Sequence, residues 1–210
     1  AEVQHGITLR AHLYLETGMS RDGIEPDAAV YFIHSCSALP NISFVGVCTH
    51  FATSDEADET FARQQLTRFN VALGELAQAG FHFPLVHAAN SGAVVNLPEA
   101  YFTLVRPGLT LYGYDPSQNP AEPPALRPVL TLRTKVNSVR RVPAQTSVSY
   151  GRRYFTSEET WIATIPIGYG DGFTRLLSGK ASCLIQGREF PVVGTVCMDQ
   201  CMVDTEIGRA

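Results

Sequence analysis

Two rhythms divide the chain. Up to about residue 115, short apolar runs alternate with longer segments of helical spacing. Ala11–Leu15 reads as a strand that runs into a turn at Gly18. Asp27–Leu39 reads as a helix with Pro26 near its start, and Ile42–Thr49, rich in β-branched and aromatic residues, as a strand. Glu56–Gln78 is a long predicted helix, because Phe61, Leu66, Phe69, Leu73 and Leu76 recur at helical spacing and Gly80 follows. Pro84–Ala88 predicts a strand, Ser91–Leu97 a short helix, and Phe102–Val105 another strand. This β-α-β-α order implies parallel strands covered by helices. Arg21, His50, Ser91 and Arg106 each follow a predicted strand, and in a (β/α) barrel those strand ends share the mouth where active sites lie.

The second rhythm is β-rich. Asp115–Pro128 is Pro-rich and aperiodic and reads as a linker. Beyond it Val129–Val142 alternates, and Trp161–Ile167, Ser182–Ile185, Phe190–Val193 and Met202–Asp204 read as short strands between Gly-containing turns. Such spacing predicts a small β-barrel or sandwich. The expected fold class is α/β plus all-β, with a barrel part over 1–118, a linker over 119–128 and a β-domain over 129–210. The sequence shows no internal repeat and no low-complexity tract.

Composition narrows the partners. With 45% hydrophobic and 17% charged residues, the 210-residue chain is ordinary globular protein. A net charge of −4 gives no basic footprint for nucleic acid, and no apolar run approaches the roughly 20 residues of a membrane span. Ala1-Glu2-Val3-Gln4-His5 has neither a charged n-region nor an apolar h-region, so a cytoplasmic location is expected. The five cysteines (Cys36, Cys48, Cys183, Cys197 and Cys201) form no CxxC pair and read as reduced, mostly buried thiols, with no metal site.

The sharpest chemistry lies in Val105-Arg106-Pro107-Gly108-Leu109-Thr110-Leu111-Tyr112-Gly113, which sets a permanent cation directly before a turn of exposed amides. A cofactor with a phosphate and a basic ring nitrogen needs both. Arg106 could instead pair with a carboxylate. In the functional reading it donates to a pyridine nitrogen and keeps its proton, so the ring stays a weaker electron sink and transamination is disfavoured. Gly108 and Leu109 would offer amides to the phosphate and Ser91 a hydroxyl, although a Ser after a strand is also a common N-cap. His50 could be structural or could stack on a cofactor ring; His5, His12, His34, His82 and His87 are read as structural. Tyr150, in a polar turn with Gly151 and Arg152, reads either as an exposed aromatic or as a base, since neighbouring cations favour a phenolate that can take an α-proton. Gly168-Tyr169-Gly170-Asp171-Gly172 lacks the helix and lysine of a phosphate loop and reads as a β-turn, a possible channel lip.

In this order, Thr49-His50-Phe51-Ala52, Ala89-Asn90-Ser91, Val105–Gly113, Val148-Ser149-Tyr150-Gly151, Ile167–Gly172 and Val196–Gln200 resemble the alanine racemase family of fold-type III pyridoxal 5'-phosphate (PLP) enzymes. The resemblance runs from Leu15 to Asp199. It implies a partial (β/α)8 barrel followed by a small β-domain, and a two-base interconversion of L- and D-alanine that feeds peptidoglycan. It implies a homodimer with shared active sites. Arg106 would meet the pyridine nitrogen, with His50 beside the ring. Ser91, Gly108 and Leu109 would hold phosphate, and Arg21 would contact the cofactor's phenolic oxygen and the substrate carboxylate. Tyr150 would be one base, acting in the partner's site; Met198 would offer its backbone amide to the substrate, and Tyr169 would line the entry. The family's Schiff-base lysine matches neither Lys135 nor Lys180, and Tyr14 stands where many members carry a lysine. The expectation is therefore an internal part of a longer racemase, inactive alone and prone to aggregate. A racemase of serine or broader substrates, or a non-catalytic PLP-binding protein, would share much of the framework. The β-domain argues against the second, and Arg106 argues against a decarboxylase.

Overall fold

The computed structural model describes residues 8–36, 38–117 and 125–205. The chain divides between Leu130 and Thr131 into two compact units. The predicted linker falls largely on 118–124, outside the described residues.

The first unit is built on three parallel strands: β1 (Leu9–Tyr14), β2 (Ile42–Cys48) and β3 (Leu85–His87). Their ends are in register, with Tyr14 opposite Cys48 and Cys48 opposite His87. Helices α1 (Ala29–Cys36), α2 (Thr60–Gln78) and α3 (Ser91–Asn96) complete the alternation. Strand residues of one parity, Leu13 and Leu15 from β1 and its extension and Val47 from β2, pack with Ile33, Leu66, Phe69 and Leu76 in one buried core. The opposite parity (His12, Tyr14, Cys48 and His87) faces the other side of the sheet. Its close packing is visible at Gly46, where a Cβ would come within 2.7 Å of the His12 ring.

Two elements are shorter than the pattern predicts. Helix α2 begins at Thr60 rather than Glu56: Glu56 N–H closes a turn onto Thr53 O (3.2 Å), and Thr60 N–H donates to Asp58 Oδ1 (2.9 Å). Ala52 N–H donates to Gln65 Oε1 (2.9 Å), and Asn96 Nδ2 donates to Ser54 O (2.9 Å). Helix α1 starts only after a 3₁₀ turn over Pro26–Ala28 and is described to Cys36. The predicted strand Phe102–Val105 is not a strand. Phe102 sits at φ 47°, and the segment follows β3 through two backbone bonds, Thr103 N–H to Val86 O (3.1 Å) and Arg106 N–H to Ala89 O (2.9 Å), with the Thr103 hydroxyl accepting from Val86 N–H (2.7 Å).

The second unit is an antiparallel five-stranded sheet. Its strands are β4 (Ser138–Val142), β7 (Thr160–Ile165), β8 (Ser182–Ile185), β9 (Arg188–Val193) and β10 (Cys201–Thr205), in the order β4-β7-β10-β9-β8. A two-stranded pair, β5 (Ser147–Val148) with β6 (Tyr154–Phe155), brackets Tyr150. The strand predicted over 129–142 forms only from Ser138. Thr131–Val136 alternates without a ladder partner among the described residues and lines an open groove beside β8 with Ile165, Phe173 and Val192. No helix among the described residues is long and apolar enough to cross a membrane, and no group of three or more His, Cys, Asp or Glu among them could hold a metal ion.

Candidate active site

Residues beyond the ends of β2 and β3 converge on one guanidinium. Arg106 Nη1 donates to His87 Nδ1, while Nη2 donates to Thr49 O (2.8 Å), Ala88 O (3.3 Å) and His50 Nδ1 (3.2 Å). Arginine has only donors, so both imidazoles must accept at Nδ1 and carry their proton on Nε2. His87 Nε2–H then donates to His12 Nδ1 at 2.6 Å. The proton positions thus follow in order from one permanent cation. Burial, then the Arg106 charge and His12, lower the His87 pKa from 6.5 to about 4. Burial and the charges of Arg106 and Arg21 lower that of His50 as well. Both rings are therefore neutral at pH 7. Burial also draws the Arg106 pKa down, but a guanidinium remains protonated. The Cys48 thiol, in register between Tyr14 and His87, has its pKa raised by burial against the opposing pull of Arg106.

Next to this cluster is an anion-type donor set. Gly108 N–H (2.8 Å), Thr110 N–H (3.3 Å) and Thr110 Oγ1 (3.4 Å) all lie around Ser91 Oγ. Asn90 caps α3 by accepting from Ala93 N–H (3.1 Å), so the Ser91 hydroxyl is left for Gly108 and Thr110 rather than used as a cap. Leu109 begins a 3₁₀ turn that ends at Tyr112, with Gly113 in the left-handed region.

Arg21 lies on an exposed loop beyond β1, with a 3.4 Å surface contact to Asp22, and close enough to Tyr14, His50 and Arg106 for its charge to act on all three. Beneath it, Tyr14 Oη is buried, with Arg21 as its neighbour; burial raises its pKa, and the Arg21 guanidinium pulls the other way.

In the second unit, Tyr150, Tyr169 and Met198 lie on loops that brace one another. Ser149, at φ 65°, donates from Oγ to Thr195 O (2.6 Å), and Thr195 Oγ1 donates back to Tyr150 O (2.8 Å). Tyr169 N–H and Gly170 N–H donate to Cys197 O (3.0 Å) and Met198 O (2.7 Å). The glycine at 168 is required by this approach, since a Cβ there would overlap the Cys197–Met198 backbone. All three side chains are exposed. The run Gly168–Gly172, read from sequence as a β-turn, is a 3₁₀ turn over Tyr169–Asp171 closed by Gly172 in the left-handed region.

His12 and His87, read from the sequence as structural, both belong to the hydrogen-bonded chain that starts at Arg106. His12 does so from an exposed position. The available signal was parity: His87 ends its strand and His12 stands two residues before the end of its own.

Parallel strands whose C-terminal ends carry an Arg–His cluster beside an anion cup, continued in the chain by an all-β unit, fit the barrel-plus-β-domain class of PLP proteins. Comparison narrows the class. The family "Alanine racemase, N-terminal domain" matches residues 1–116, and "Alanine racemase, C-terminal domain" matches 129–209. The chain belongs to the alanine racemase family. It is 45% identical over 199 residues to the alanine racemase of Desulfovibrio desulfuricans, covering 95% of this chain and 54% of that protein. It is 47% identical over 204 residues to that of Clostridium perfringens, covering 95% and 52%. Among solved structures it resembles alanine racemase of Clostridium difficile 630 (TM-score 0.89, 35% identity, 97% of this chain and 54% of that one). It also resembles that of Bacillus anthracis with bound L-Ala-P (TM-score 0.84, 38% identity, 94% and 52%). The chain thus spans about half the length of the curated relatives it matches.

The family's cofactor is pyridoxal 5'-phosphate, and the donor set here fits it. A donor-only cation faces neutral imidazoles rather than a carboxylate, as an unprotonated ring nitrogen requires. Two amides and a hydroxyl around one serine oxygen suit a phosphate. The two lysines, Lys135 and Lys180, both belong to the second unit, so neither lies on the parallel strands.

Proposed function

We propose that this chain carries the cofactor cradle and one of the two bases of a PLP-dependent racemase that interconverts L- and D-alanine. When bound, the cofactor supplies an electron sink for the substrate α-carbon. Arg106 hydrogen-bonds the pyridine nitrogen without giving up its proton, which keeps the sink weak enough to suppress transamination. His87 and His50 hold that guanidinium in place, with His50 beside the ring. Ser91, Gly108 and Leu109 bind the phosphate, and Arg21 meets the phenolic oxygen and the substrate carboxylate. Tyr150 takes or returns the α-proton on one face of the substrate, and a lysine that is neither Lys135 nor Lys180 serves the other. Met198 offers its amide to the carboxylate, and Tyr169 lines the entry. Tyr150 and Met198 act in the site of a second subunit, so the working unit is a homodimer. Its setting is the cytoplasm and its product serves the cell wall.

The observation that carries this reading is the Arg106 guanidinium held by two neutral imidazoles beside the Ser91 cup. The test is made on the full-length protein with PLP, by following D-alanine formed from L-alanine. Tyr150→Phe should lower kcat by about 10²–10⁴, and Arg106→Glu should lower racemisation while raising pyruvate formation by transamination. Racemisation at the parent rate in both variants would refute the assignment.

A further inference from the structure

The Arg21 guanidinium is exposed: it pairs with the exposed Asp22 at 3.4 Å and lies beside the Tyr14 hydroxyl. The loop beneath it is nevertheless tightly specified. At its base Leu15 bridges Ile24, Glu16 N–H donates to Ile24 O (2.8 Å), and Ile24 N–H donates to Tyr14 O (3.0 Å). Thr17 is buried, with its Oγ1 against Thr49 Oγ1 (2.7 Å) and its carbonyl accepting from Arg68 Nη1 on α2 (3.0 Å). The tip is the difficult part. Gly18 is at φ 142° and Ser20 at φ 54°, a conformation an L-residue adopts only when its surroundings impose it.

What imposes it is one side chain. Glu16 Oε1 accepts from Gly18 N–H, and Oε2 accepts from Ser20 N–H at 2.8 Å, so the two carboxylate oxygens close two rings over the tip. We propose that Glu16 is the positioning residue for Arg21: its carboxylate gathers the amides of the Gly18–Arg21 tip and so presents the guanidinium to an anionic group at the mouth of β1. Burial alone would raise the Glu16 pKa, yet the net direction is down, because the amides of Ser20, Gly18, Met19 and Arg21 favour the carboxylate. The other charged or titratable groups around it are Tyr14, Arg21, Glu25 and, from α2, Arg68. A glutamine has the right size but replaces one acceptor oxygen with an amide donor, which would face a backbone N–H.

The proposal rests on the reading of Arg21 as the contact to the substrate carboxylate. Its test uses the full-length holoenzyme with Glu16→Gln. Amide hydrogen exchange at Gly18 and Ser20 should accelerate about tenfold, the low end of what a hydrogen bond to a charged group is worth. KM for L-alanine and the inhibition constant of acetate, an unreactive carboxylate, should rise by a similar factor, with kcat changed much less. Unchanged exchange, or an unchanged KM, overturns the proposal. Should Glu16→Gln fail to fold, Glu16→Asp, which keeps the charge but retracts it by one methylene, must show the same split of KM against kcat; a fall in kcat at constant KM overturns it. Arg21→Ala separates the two layers. If that variant leaves KM and acetate inhibition unchanged, the reading of Arg21 fails and takes the role of Glu16 with it. If Arg21→Ala raises KM and Glu16→Gln does not, Glu16 alone is wrong.

Discussion

The order of protons along Arg106, His87 and His12 makes a prediction that depends on no ligand. His87 must be neutral with its proton on Nε2, because its Nδ1 faces a group that can only donate. Its pKa of about 4 lies some two and a half pH units below the ordinary 6.5. At about 1.4 kcal/mol per pH unit, this corresponds to about 3.5 kcal/mol at most. His87 is only 6% exposed, but the His12 ring beside it is exposed, so water screens part of that energy and about 1–2 kcal/mol is the reasonable expectation. The direction follows from linkage. The unfolded chain takes up the His87 proton near pH 6.5 and the folded one only near 4, so this contribution to stability is complete above 6.5 and is lost as the pH falls towards 4. The assay is NMR of ¹³C,¹⁵N-histidine-labelled protein titrated from pH 7.5 to 4, read for tautomer and midpoint. Arg106→Leu should raise the His87 midpoint by about one unit and no more, because burial outweighs the Arg106 charge as a cause and survives the substitution. An Nδ1–H tautomer, or a parent midpoint at or above 6.5, would refute the reasoning.

Three further outcomes are expected. Gly23→Ala would push a methyl group into the Tyr14 ring at φ 107°, and should cost about 1–3 kcal/mol in urea unfolding monitored by circular dichroism. Phe69→Ala, which removes a fully buried ring set edge-on to Phe102 at 5.4 Å, should cost about 3–5 kcal/mol in the same measurement. Tyr154 donates to Asp204 Oδ2 (2.5 Å), and burial together with that carboxylate raises its pKa to about 12. Its contribution to stability is thus present below about pH 10 and is lost as the pH rises towards 12. In an ultraviolet titration Asp204→Asn should lower the tyrosine midpoint but leave it above 10, because burial is the larger cause.

Much of this molecule is written locally. The 3.6-residue recurrence from Phe61 to Leu76 marks α2, and β-branched runs mark β2 and β7, because each pattern reports a face that the element itself buries. The strand predicted over Phe102–Val105 failed for the complementary reason. Its apolar residues look strand-like, but whether they join a ladder depends on Phe102 turning into positive φ and on β3 ending at His87. Thr131–Val136 has the alternation of a strand, and whether it finds a ladder partner, as it does not among the described residues, is not a property of its own residues.

The same distinction separates the parts of the candidate site. Arg106 and Gly108 are legible because a cation before a Pro-Gly turn is unusual in itself. His87 is not, since what makes it matter is a guanidinium 19 residues away and an imidazole 75 residues away. Register is the missing term. Once β1, β2 and β3 are parallel with Tyr14, Cys48 and His87 level, parity alone turns His12 and His87 to one face, and the glycine at 46 opens the space for the His12 ring between them. A histidine at a strand end is therefore better judged by the residues level with it on neighbouring strands than by its neighbours in sequence. By that measure the loop amides gathered by Glu16 and the imidazoles facing Arg106 do the same work: each holds in place a cation that its own local sequence leaves loose.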